Sequence, residues 1–556
     1  MTDKSAESEC PAEMGSICAR RHWAVYWLII SLAVASVASN VLSLRNPATR
    51  GESPFFSAND RSRWCTIYSL VHFGTYEIDR VVTRKSPIHW DTIDKVMHVG
   101  PDGQLHQYSS KPALLPTLLA GEYWLIREFV GWDLDEEPIM VARLMLLISN
   151  VIPFAVLLIL LAAMLERWFV ADWVRYFILG AAGFGTFLST FCVTLNNHLP
   201  AAVSTMIALY FVDRMVRDQK RISSRSLFAA GFFAAFAAAN ELPALSLVVM
   251  LFGLLLTRRI GLSLVWYVVG AVLVGAAFVG ANAAAHGKWE LAYGHRSDGE
   301  VIGELRGDFS SSLDQRVLPQ EINEVCQNWI RENAAPELNA PMVAAGTWMG
   351  QGDGVLRRWV IRDAVTTVQF AVVENVEGNF QVREWQNWYD FPGSYWSSQG
   401  RRSAIDLGEP SRLVYAFHMT LGHHGIFSLT PLFVLSLAGM IVLLFDRRYQ
   451  SEWLGWVATV ITVVVFSFYV SREMHDRNFG GQTSGLRWMF WLIPIWLLSM
   501  TPVVQWLAST AMRRWICLVL LLASILSCRY STANPWIHPW LYEFWPTLET
   551  WFSNSF

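Results

Sequence analysis

Long apolar runs alternate along the chain with short charged breaks. A helix needs about 20 apolar residues to cross ~30 Å of hydrocarbon. Such runs recur at 23–44, 139–164, 174–194, 199–212, 227–240, 242–256, 262–282, 425–445, 453–470, 488–505 and 515–528. They predict an all-α polytopic membrane protein with about eleven transmembrane helices. Three runs (199–212, 227–240 and 242–256) are short and suit tilted neighbours in a locally thinned bilayer, or a single stretch over 227–256. Residues 112–130 are apolar but interrupted by Glu122, Arg127 and Glu128, which predicts an amphipathic segment lying on the membrane face.

Basic residues orient the runs. Arg20 and Arg21 precede the first and place the N-terminus in the cytoplasm. Eleven crossings then keep Arg167, Arg175, Arg214, Arg217, Lys220, Arg221, Arg225, Arg258, Arg259, Arg447, Arg448, Arg513 and Arg514 on the cytoplasmic side. That pattern requires a hairpin within 227–256. The first run reads as an uncleaved anchor, with a signal peptide as the alternative. The expected order is a cytoplasmic tail (1–22), a membrane core (23–282) whose first outer loop is 45–138, an extracytoplasmic domain (283–424), C-terminal transmembrane helices (425–528), and an interfacial extracytoplasmic tail (529–556). A bacterial inner membrane fits this order. Within the large outer block, residues 355–385 alternate with a period of two around a Glu377-Gly378-Asn379 turn, predicting a small sheet in a mixed α/β domain. Residues 300–345 read as short helices and loops.

Composition agrees. Hydrophobic residues make up 53% and charged residues 16%, against about 25% charged in soluble domains. The 27 tryptophans suit many membrane–water boundaries. A net charge of −3 gives no bulk signal for nucleic acid. The seven cysteines lack metal-binding spacing, and Cys65 and Cys326 both fall in outer segments, as a pair or as two unrelated thiols.

The polar residues near the apolar runs gather on one side. Charged groups beside hydrocarbon are costly and usually functional. Asp60 follows the first run in Asn59-Asp60-Arg61-Ser62-Arg63-Trp64. It reads either as a carboxylate able to take a proton from a hydroxyl or as a helix cap. Lys111, just before the amphipathic segment, puts an ammonium at headgroup depth, suited to a lipid phosphate. Arg143, Asn196-Asn197-His198, Asn240-Glu241, His423-His424, and Arg472, His475, Asp476, Arg477 and Arg487 around a glycine-rich turn fall on the same side. His423-His424 hints at a divalent metal, although neighbours in an extended segment point apart. No cofactor is specified. The aromatic tract Trp385–Trp396 offers either a sugar-stacking surface or local packing.

The Asp60 loop, with Ser69-Leu70-Val71 continuing its helix, and Tyr108-Ser109-Ser110-Lys111-Pro112-Ala113-Leu114 together resemble the GT-C glycosyltransferases. The similarity is to the protein O-mannosyltransferase and aminoarabinose-transferase-like branch, glycosyltransferase family 39 and its bacterial relatives. It covers roughly residues 23–282. Arg61 stands where that family often has a second acid, and Ala113 replaces the second motif proline. The resemblance implies a sugar donor on a polyprenyl phosphate and a lipid, glycan or protein acceptor. It further implies Asp60 as general base in an inverting transfer, and Lys111 on the departing phosphate with Arg61, Arg63, Arg143 or Arg487 as helpers. His198, Glu241, His423 and His424 are further candidates on that face. A polytopic transporter or flippase is the rival, favoured if Glu241 lies at mid-membrane in one helix.

Overall fold

The structure, a computed structural model, describes residues 12–44, 55–85, 89–102, 104–168, 170–218, 222–296, 298–333, 342–348, 355–363, 366, 368–375, 378–391, 393–396, 404–446 and 452–546. Its principal helices are α1 (Ala12–Leu42), α2 (Ala58–Phe73), α3 (Leu114–Val130), α4 (Pro138–Arg167), α5 (Asp172–Phe191), α6 (His198–Arg217), α7 (Ser224–Asn240), α8 (Leu242–Leu256), α9 (Ile260–His286), α10 (Gln320–Asn333), α11 (Arg412–Thr420), α12 (Phe433–Phe445), α13 (Glu452–Val470), α14 (Arg487–Leu507) and α15 (Ala511–Tyr530).

Every apolar run is helical, and the chain is an integral multi-pass membrane protein. The count of eleven full crossings is refined. Among the described residues seven helices are long and apolar enough to cross (α1, α4, α5, α6, α9, α13, α15), and α14, bent by 45°, makes an eighth. α7, α8 and α12 are shorter. At 1.5 Å per residue the 13 residues of α12 reach only about 20 Å. The run 425–445 is broken because Pro431 interrupts it, leaving a separate turn at Ile426–Leu429. The stretch 227–256 is two helices, parted at Glu241 with Pro243 opening the second.

α7 and α9 touch backbone to backbone. A Cβ on Gly231 would fall 2.1 Å from the Tyr267 carbonyl oxygen, and one on Gly270 would fall 2.3 Å from that of Phe228. Small residues permit this approach where lipid supplies no hydrophobic drive between helices.

α3 is amphipathic as expected. It buries Leu119, Tyr123 and Ile126 against the core and exposes Leu118, Trp124, Leu125 and Phe129. An antiparallel hairpin of β1 (Lys95–Val99) and β2 (Leu105–Ser109) separates α2 from α3. The block after α9 holds β3 (Val301–Arg306), β4 (Met342–Trp348), β5 (Val355–Asp363), β6 (Gln369–Asn375) and β7 (Asn379–Glu384), in the antiparallel order β3-β7-β6-β5-β4. The predicted strands are present. β3 and β4 also form, where short helices and loops were expected. α10 closes a second hydrophobic core, in which Ile322, Cys326 and Ile330 meet Trp359, Phe370 and Val382. Cys65 lies in the main core, so the two thiols are unrelated.

Candidate active site

Asp60 is the third residue of a capping box. Ser57 accepts from the Asn59 and Asp60 amides, and Asp60 returns the bond. Its carboxylate takes Ser57 N (2.7 Å), Ser57 Oγ (3.0 Å), Arg61 N (2.9 Å), Phe56 N (3.0 Å) and Thr194 Oγ1 (3.2 Å). Burial raises its pKa against these donors. With no exposed surface and five donors, it anchors the start of α2, which is the cap reading. Arg61 turns back onto the Ser57 carbonyl (3.1 Å).

One turn further along α2, Arg63 reaches a different environment. Its guanidinium bonds Asn59 and, at 2.5 Å, Asn197 Oδ1. Asn197 also donates to Glu241 Oε1 (2.7 Å) and to the Asn240 carbonyl (2.8 Å). Glu241 pairs with His198 Nδ1, and His198 Nε2 receives Arg487 Nη1 at 2.9 Å. Arg487 is held from behind by the Gly480 carbonyl (3.2 Å from Nε) and stacks 4.9 Å from the Trp536 ring. Gly480 has φ +92°, and a Cβ there would meet Arg487 Nε at 2.5 Å. The tight polar turn before α6 is fixed by Asn150, whose amide bonds the Cys192 (3.0 Å) and Thr194 (2.9 Å) carbonyls.

The hairpin supplies the rest. Lys95 pairs with Ser109, and the Ser110 amide bonds the Asp94 carbonyl at 3.1 Å, so Asp94 and Lys111 flank the same end of the ladder. Lys111 Nζ lies 2.9 Å from Asp94 Oδ2, with side chains only 10% and 12% exposed. Ser62 of α2 locks this end through the Asp94 carbonyl and Ser109 Oγ, both at 2.6 Å. Burial pushes Lys111 down to about 8; Asp94 pulls it up, while Arg63 and Arg487 push it down. Burial would raise Asp94, yet Lys111, Arg487 and Arg63 together hold it below the usual carboxylate range. Burial dominates the Lys111 shift and the neighbouring cations the Asp94 shift.

The structure therefore joins Lys111, Arg63, Arg487, His198 and Glu241, from five stretches of chain, in one buried cluster. Three other candidates stand apart. Arg143 reaches the Leu44 carbonyl (3.4 Å) and Met140 Sδ (4.0 Å). His423 and His424 form a cluster of their own, linked to this one through Phe479, which stacks on His424 at 4.2 Å. Asp94 and Trp536 were missed as site residues. The signal for Asp94 was the two strand-like runs around Pro101-Asp102, which place it opposite Ser110. Trp536 carried no signal beyond its aromatic tail, which folds inward here: its Nε1 donates to Thr194 Oγ1 (2.9 Å). In the aromatic tract, Trp388 and Tyr389 are buried against the hairpin with Val96 and Tyr108, a packing role.

No family model and no curated protein matches the chain. A solved structure from S. cerevisiae, the protein O-mannosyltransferase Pmt1-Pmt2 complex bound to the sugar donor, is similar over 93% of this chain and 90% of that one, at 11% identity and a TM-score of 0.41.

Proposed function

We propose that the protein is a membrane glycosyltransferase that takes a sugar from a polyprenyl-phosphate donor at the extracytoplasmic face. One observation carries this reading. Arg63, Lys111 and Arg487 are buried together, and among the described residues Asp94 and Glu241 balance them, with Asp60 shared between Arg63 and Arg61. Buried cations in excess of their partners are costly to maintain without an anion. Beside apolar helices, a lipid-borne phosphate supplies one.

In the proposed reaction the acceptor hydroxyl oxygen bonds to the anomeric carbon as the carbon–phosphate oxygen bond breaks. The bonding pair leaves on the phosphate, stabilised by Lys111, Arg63 and Arg487. A single displacement inverts the anomeric centre. The hydroxyl proton passes to Asp94, which takes over the role first given to Asp60. A phosphate bound at Lys111 competes for that ammonium, so donor binding frees Asp94 and strengthens it as a base. Membrane lipids and a lipid, glycan or protein acceptor complete the set of partners.

The rival transporter reading retains the helix break at Glu241, but Glu241 is paired there with His198 and Asn197 rather than lying within one helix. The test is incubation of purified protein with a panel of polyprenyl-phosphate sugars. Release of polyprenyl phosphate with sugar transfer is expected. Turnover of none of the panel, with intact protein, would remove the reading.

A further inference from the structure

The histidine cluster beside Phe479 has no part in the chemistry above. Glu409, His418 and His423 each offer one ligand atom, and the three atoms lie within 4.8 Å of one another. The His418 and His423 rings stack at 3.8 Å, so a shared ion requires one ring to turn out of the stack, and His423 Nε2 is 3.6 Å from Glu409 Oε1. On its other edge, His423 Nδ1 lies 2.6 Å from His424 Nδ1. One of those nitrogens therefore bears the proton and the other the lone pair. Adjacent histidines were expected to point apart. They converge because the segment is turned rather than extended, with Gly425 N bonding the Gly422 carbonyl at 3.0 Å. Gly422 also makes room for the ligand set, since a Cβ there would fall 2.3 Å from His418 Nδ1.

We propose that Glu409, His418 and His423 form a Zn²⁺ site, with His424 orienting His423 from the second ring nitrogen. Two imidazoles and a carboxylate are a common three-ligand set for zinc, leaving a fourth position for water or another group. His423 binds through Nε2, because Nδ1 is engaged with His424. A hydrogen bond of that kind fixes the tautomer of a ligating histidine.

The only other cluster of this kind among the described residues, Glu77, Asp79 and His106, is explained without a metal. It is half-buried, and His106 places its nitrogens on Asp79 (3.2 Å) and Asp102 (3.0 Å) as ion pairs. The Zn²⁺ site has a structural consequence. It fastens the turn after α11 beside Phe479, and the next carbonyl, that of Gly480, holds Arg487. The metal thus acts as a positioning element, and its existence does not depend on the glycosyl-transfer reading.

The full chain, purified with a histidine-free tag, is loaded with ZnCl₂, dialysed and assayed for bound metal. CoCl₂ then serves as an optical probe. One retained equivalent and intense visible Co²⁺ bands of low coordination number are expected. H423A and the H418A/E409Q pair should each weaken Co²⁺ binding at least ~10-fold, in line with loss of a ligand, while H106A leaves it unchanged. Wild-type protein that retains no Zn²⁺ and gives no Co²⁺ spectrum overturns the proposal, and this arm needs no variant to fold. Loss of the equivalent in H106A, with retention in H423A, overturns it as well.

Discussion

The two ends of the helical bundle carry the same kinds of charged residue and balance them differently. At one end Asp213 of α6 takes Arg217 (2.8 Å), Trp168 (2.9 Å) and Arg167 (3.3 Å). Nearby, Arg175 bridges Glu166 (3.0 Å) and Asp172 (3.5 Å), and Tyr26 donates to Glu166 (2.5 Å), so three arginines meet three carboxylates. Acids and bases are matched there, and several of the partners are partly exposed. At the other end three cations crowd two carboxylates, and Lys111 titrates low while Asp94 stays ionised. Matched pairs secure helix ends. An unmatched excess adds little to folding and makes sense as a place reserved for an anion.

Mutations at the two ends should therefore separate activity from stability. The largest effect is expected for Asp94→Asn, a loss of about 10³-fold in transfer rate with donor binding retained, in the range of a missing general base. Transfer by this variant at the parental rate would return the base role to another carboxylate. Next, Lys111→Met and Arg487→Met should each weaken donor binding by roughly 50-fold, the worth of one charge-assisted contact. Arg217→Met, the control at the matched end, should change it less than about 2-fold and lower the melting temperature instead. Equal losses at both ends would erase the distinction.

The pH dependence is sharper still as a diagnostic. Lys111 is charged below about 8 and neutral above it. Donor affinity should fall as pH rises through that value, and Lys111→Arg, always charged, should flatten the alkaline limb. Flat affinity from pH 7 to 10 in the parent would count against Lys111 as a phosphate ligand. A smaller effect is expected for Asp60→Asn. It should cost about 1–2 kcal/mol of stability by weakening a cap, read as earlier thermal unfolding, with transfer per folded molecule impaired far less than in Asp94→Asn.

Much of this was legible in the chain. The span boundaries followed from apolar length, and the β5–β7 strands from their two-residue alternation. Lys111, Arg63, Glu241, His198 and Arg487 were picked out by a shared side of the membrane, and that sidedness is what brings them together. At Asp60 a capping box and a catalytic carboxylate look alike in sequence, and the structure adds the cap with its five donors. Asp94 was hidden for the opposite reason. Nothing local marks it, and its importance arises from strand register across a turn. β3 and β4 escaped notice because neither alternates cleanly; β3 relies on β7, far along the chain, while β4 pairs with the next strand, β5.

The glycine contact between α7 and α9 has a reach beyond its own neighbourhood. Gly231 lies nine residues before Asn240, and Gly270 twelve before Asn282, whose Oδ1 accepts the Ala113 amide two residues past Lys111. Those stretches are levers of about 14 and 18 Å, running in parallel from one fulcrum. A single methyl group at the pivot would spread their tips, moving Glu241 away from Lys111 without touching either. The width of the jaws, and with it the size of the headgroup that the proposed site would admit, is set by the two glycines of this contact.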